Sequence, residues 1–97
     1  MRTMLKVVME VNASNEAIKN GRLPEIIKAT VDKIKPEASY FFASEGCRTG
    51  IMIFDMKDPS EIPGIAEPFF MELNAKLEFQ PVMNQDDLKK GLAAVMK

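Results

Sequence analysis

Residues 40–54 read YFFASEGCRTGIMIF, and the way this stretch alternates decides the fold. Two β-rich segments, Ala38 to Ala43 and Thr49 to Met56, flank the polar SEGCRTG, which carries a glycine near each end. The pattern predicts an antiparallel hairpin closed by a loop of about five residues, with Cys47 in the loop. Neither strand has a wet side: Tyr40 and Phe42 alternate with Phe41 and Ala43, and Ile51 and Ile53 with Met52 and Phe54. A hairpin with one solvated face would carry polar residues at every second position, so both faces here call for cover.

Before the hairpin, MLKVVMEV (residues 4–11) alternates in one register. Leu5, Val7, Met9 and Val11 share one face, and Met4, Lys6, Val8 and Glu10 share the other, which predicts a strand with one dry and one mixed face. NASNEAIKNG (residues 12–21) follows as a short helix, with Asn12 or Ser14 available as cap and Asn20-Gly21 as the stop. A longer helix is expected over about Pro24 to Ile34. Pro24 suits its first position, Glu25 its first turn, and Ile27, Val31 and Ile34 form its apolar stripe with Leu23 just before it; Pro36 ends it.

After the hairpin, DPSEIPGIAEPFFMELNAKL (residues 58–77) is helical, with Asp58 or Ser60 as cap and Ile65, Phe69 and Leu73 spaced for one stripe. Pro68 lies inside it and predicts a kink or a split. A fourth strand runs from about Leu77 to Met83, where Pro81 cannot donate to a ladder and so marks an edge. NQDDLKKGLAAVMK (residues 84–97) closes the chain as a helix capped by Asn84, with Leu88, Leu92, Val95 and Met96 on one side.

Strand, helix, strand, strand, helix, strand, helix is an α+β order. Two right-handed strand-helix-strand units sharing one antiparallel sheet place both crossover helices on the same face. The expected architecture is a ferredoxin-like βαββαβ sandwich with a C-terminal helix, residues 1–97 forming one domain. The uncovered sheet face then predicts a homodimer through that face, a dimeric α+β barrel; the rival is a monomer with the terminal helix folded over it.

Composition narrows the function. Thirteen basic and 14 acidic residues leave a formal net charge of -1, without the basic face that nucleic acid demands. No apolar run approaches the ~20 residues that cross a bilayer, and MRTMLKVVMEV lacks a signal-peptide layout, so a cytoplasmic protein without a membrane partner is expected. The single cysteine offers no internal disulfide. Histidine is absent, which removes Ser-His and Cys-His nucleophile pairs, histidine haem ligation and His-based metal sites; no cofactor or metal is expected.

The segments LKVVMEV, SYFFASEGCRTGIMIFDM and DPSEIPGIAEPFFMELNAKLEFQPVM together resemble small bacterial proteins of the dimeric α+β-barrel class, and the last is similar to short members with no established activity. The wider class includes monooxygenases that form quinones without metal or flavin, haem-degrading monooxygenases, lactone isomerases and stress-induced barrels. This chain departs from the haem-binding members in having no histidine, and from several monooxygenases in having no tryptophan.

Two functional readings follow. In the first, the protein binds a small apolar or aromatic metabolite, and Tyr40, Phe42, Arg48, Phe54 and Phe70 line the site. In the second, it is a cofactor-independent monooxygenase or isomerase acting on a small aromatic or lactone substrate. Glu10, Glu78 or Lys6 then moves a proton and Tyr40 positions an oxygen, which requires a carboxylate buried beside apolar walls. The same polar residues also suit a cross-strand salt-bridge lattice. Cys47 beside Arg48 suggests an activated thiol, but no general base accompanies it. Eight methionines are read as adaptable core filling.

Overall fold

A computed structural model describes residues 1–96. The elements are β1 (Arg2–Val8), α1 (Val11–Lys19), α2 (Arg22–Ile34), β2 (Ala38–Ser44), β3 (Cys47–Asp55), a 3-10 turn (Pro59–Glu61), α3 (Ile62–Leu73), β4 (Lys76–Pro81) and α4 (Gln85–Val95). The four strands form one sheet in the order β2-β3-β1-β4, and every neighbouring pair is antiparallel. This α+β arrangement is compatible with a ferredoxin-like sandwich, its first crossover carrying two helices. Asn20 caps the end of α1, and Gly21, at φ +77°, supplies the left-handed residue that turns the chain into α2.

Helices α1, α2 and α3 cover one face. Leu5 and Val7 of β1, Phe54 of β3, Ala17 of α1, Leu23 and Ile26 of α2, and Ile65, Phe69 and Leu73 of α3 form the core. The apolar side of α2 is centred on Leu23, Ile26 and Thr30, with Ile27, Val31 and Ile34 at its half-buried flank, and the helix begins two residues before Pro24. α3 is not split at Pro68. A mid-helix proline costs about 3 kcal/mol, whereas three fully buried large apolar side chains return about 1.5–3 kcal/mol each, so the Ile65, Phe69 and Leu73 stripe outweighs it. Asp58 caps the preceding 3-10 turn, with Glu61 completing a capping box.

Two local expectations are corrected. The hairpin loop is the two residues Glu45 and Gly46, with φ of 51° and 77°; positive φ at both central positions is the type I′ requirement, and it draws Cys47 and Arg48 into β3. The first strand ends at Val8, and Glu10 leaves it to cap α1, accepting the Ala13 amide at 2.6 Å. Asn12 and Ser14 are therefore inside the helix, where Ser14 is fully buried and its hydroxyl donates to the Val11 carbonyl.

β4 pairs only with β1, so Pro81 lies on an edge strand as its missing N–H demands. α4 begins at the Asn84–Asp87 capping box and is not folded over the sheet: all of its residues are exposed.

Candidate functional site

Strand register divides the site candidates between two faces. On the uncovered face, cross-strand rows run Ala38, Ile53, Met4, Gln80; then Tyr40, Ile51, Lys6, Glu78; then Phe42, Thr49, Val8, Lys76. The β2–β3 side of this face is apolar and the β4 side is charged. Two candidates for proton transfer, Lys6 and Glu78, thus share one row with Tyr40, the candidate for positioning a substrate oxygen. Tyr40 is two strand spacings from Lys6, roughly 10 Å between backbones, so no direct contact is built in. Lys6 is half-buried and Glu78 exposed, and no ion pair joins them among the described residues. Glu10, spent on the α1 cap, is outside the row.

Phe54 pairs with Thr3 on the helix-covered face, where it is 2% exposed in the core and is no ligand wall. Phe70 lies on the outer side of α3, off the Ile65, Phe69 and Leu73 stripe, and is exposed. Tyr40 is exposed on the bare sheet face. Of the five expected lining residues, Phe42 and Arg48 border the same groove, although the register turns their side chains to opposite faces of the sheet.

That groove, of about 330 Å³, lies between α2 and the hairpin and is lined also by Met9, Leu23, Ile27, Phe41 and Thr49. Phe41 lies over Gly50, its cross-strand partner: a Cβ there would stand 3.0 Å from the Phe41 ring. Arg48 Nη1 donates to Ser14 Oγ at 2.7 Å and to Asn15 Oδ1 at 2.9 Å. Both acceptors are neutral, and among the described residues Arg48 makes no ion pair. A guanidinium has five N–H donors in a planar fork, so this one is positioned by a single nitrogen while its charge is left uncompensated beside an apolar wall. A ligand carboxylate would supply both missing elements.

Ser14, Asn15, Met9, Leu23 and Ile27 were not singled out by sequence as site residues. The only legible trace was a serine and an alanine, Ser14 and Ala17, at the i, i+3 spacing of a buried helix face.

A second depression, about 430 Å³, lies at the hairpin end of the bare face, between Lys6, Val8, Glu10, Ser44, Cys47 and Lys76. Cys47 is half-buried there. Because Cys47 and Arg48 are successive strand residues, they project to opposite faces, and the guanidinium does not activate the thiol. Among the described residues, no three His, Cys, Asp or Glu side chains gather as a metal set, and no helix is long and apolar enough to cross a membrane.

The clearest shifts in ionisation lie elsewhere, in exposed ion pairs. The bidentate contact of Arg22 with Glu72, at 2.6 and 2.8 Å, holds Arg22 above its ordinary value and Glu72 below its own, tying α2 to α3. Asp55, bonded first to Lys57 and then to the N-terminal amine, is drawn down to about 2. Arg48 is also separated from Asp55, which sits at the other end of β3.

No protein-family model, curated protein or solved structure matches the chain.

Proposed function

We propose that this chain is a small cytoplasmic dimeric α+β-barrel protein of the bacterial type its segments resemble, and that it binds a small apolar or aromatic metabolite bearing a carboxylate. The observation that carries the ligand reading is the half-buried Arg48 guanidinium, without an ion pair among the described residues, at the wall of the groove where Phe41 lies. Supporting the dimer is the bare sheet face, on which Met4, Val8, Ile51 and Ile53 lie beside the exposed Tyr40 and Phe42.

The test is an NMR titration of the full chain with 1-naphthoate and with its neutral amide. The acid should shift the signals of Phe41, Phe42 and Arg48, and Arg48→Gln should weaken it about tenfold to a hundredfold, since hydrogen bonds to charged groups are worth about 1.5–3 kcal/mol. Equal binding of acid and amide, or shifts confined to other surfaces, would refute the role given to Arg48.

The enzyme reading, a cofactor-independent monooxygenase or isomerase, ranks second. In its favour is the shared row of Tyr40, Lys6 and Glu78; against it are the exposure of Glu78 and the capping role of Glu10, because the scheme needs a buried, uncommitted carboxylate.

A further inference from the structure

The most unbalanced feature of the molecule is α4. Its stripe of Leu88, Leu92 and Val95 is exposed by 46%, 50% and 81%, Leu88 bordering only the Pro81–Gln85 segment at its root. The molecule measures 56 × 28 × 17 Å with a radius of gyration of 15.4 Å. A compact chain of this length has a radius of gyration of about 12.5 Å, so α4 stands off the body as an arm. Its root is nevertheless fixed. The capping box sets the first turn, and Arg2, which also holds Glu37 at 2.7 Å, pairs with Asp87 at 3.0 Å.

We infer that α4 is an exchange arm: in the sheet-face dimer, it reaches past the β4 edge of its own sheet and lays the Leu88, Leu92 and Val95 stripe on the second copy. The inference rests on the dimer proposed above and names what completes it.

Contact area favours a second copy as the occupant. Four strands of 6 to 9 residues make a face of roughly 19 by 24 Å, about 460 Å², whereas a stable interface buries ~800 Å² per partner. The bare face is therefore undersized, the more so because Glu78 and Lys76 occupy its β4 side. An 11-residue helix is about 16 Å long and about 10 Å across, and adds about 160 Å². In a twofold dimer each copy both gives an arm and receives one, which brings the footprint to about 780 Å², into the required range. Charge agrees with this placement. Lys89 borders the stripe, and Glu78 on the sheet rim makes no ion pair among the described residues.

The test is sedimentation equilibrium on three full-length proteins: the unaltered chain, Leu88→Asp with Leu92→Asp, and Ile51→Asp on the sheet face. The unaltered chain should dimerise, and the α4 double variant should dissociate at least about thirtyfold more readily. If the double variant dimerises as tightly as the unaltered chain while Ile51→Asp is monomeric, the arm is refuted and the sheet-face dimer survives. An unaltered chain that stays monomeric at millimolar concentration overturns both. A photo-crosslinking residue in place of Leu92, in a mixture of isotope-labelled and unlabelled chains, gives an answer even if the aspartates disturb α4. Crosslinks of mixed isotope composition support exchange, and purely intrachain products refute it.

Discussion

α3 and α4 are helices of nearly equal length, 12 and 11 residues, each with one apolar stripe, and they meet opposite fates. In α3, Ile65, Phe69 and Leu73 are at most 2% exposed, while in α4 the equivalent side chains stand in solvent. What separates them is connection, not periodicity. α3 joins β3 to β4 within one sheet, and the crossover obliges it to lie across that sheet. α4 follows an edge strand and leads to no further strand among the described residues, so no crossover obliges it to lie across the sheet. A hydrophobic stripe states that a face needs cover without stating what provides it.

The sharpest way to break this comparison is to truncate both stripes. Phe69→Ala should cost about 3–5 kcal/mol in a denaturant melt. Leu92→Ala should change the stability of the dilute single chain by no more than about 0.5 kcal/mol, because an exposed side chain leaves no cavity. A Leu92→Ala loss near that of Phe69→Ala, at concentrations too low for association, would mean that α4 packs on its own body.

The helix starts come next in size. Asp58→Ala removes the acceptor of the Ser60 amide, and a lost cap of this kind costs about 1 kcal/mol in the same denaturant melt. Asn84→Ala removes the corresponding acceptor of the Asp87 amide, but it should barely move the global melt and should instead lower the helical circular dichroism, since α4 is not coupled to the core.

A pH titration contrasts the two ends of β3. Asp55 is drawn down to about 2 by Lys57 and the N-terminal amine. A folded value below the unfolded ~3.9 means that the contribution is fully present above about pH 4 and lost as pH falls from there towards 2. Asp55→Asn should therefore flatten the acid limb of stability across that window; an unchanged limb would show that these exposed pairs are screened out.

The smallest effect is expected at Gly50. In Gly50→Ala the Phe41 ring must yield by a few tenths of an ångström, which it is free to do because it is half exposed. Stability should stay within about 0.5 kcal/mol, and the readout is the Phe41 ring shift by NMR.

The four strands, the edge character of β4, the α3 stripe and the Asn84 cap are legible in sequence because each rests on local periodicity or on one residue's covalent limits. Several site features are not. Glu10 was read as a continuation of the strand pattern, whereas the cap it makes depends on the α1 backbone that follows. Glu45-Gly46 lacks the asparagine or aspartate that usually announces a type I′ turn, so the pattern extends the loop over three strand residues, Ser44, Cys47 and Arg48. Phe54 alternates as readily as Ile53; only the sheet's orientation towards the helices tells which of the two is core.

The sequence by itself determined which segments become strands and helices, and that more apolar surface exists than one small sheet and its helices can bury, because these follow from spacing and side-chain chemistry along the chain. Only the tertiary structure decided that Arg48 joins Ser14 and Asn15 beside Phe41, while Cys47 turns to the opposite face and α4 stands free. These outcomes depend on contacts between residues up to 34 positions apart, and no local periodicity encodes which of two faces such a contact will occupy.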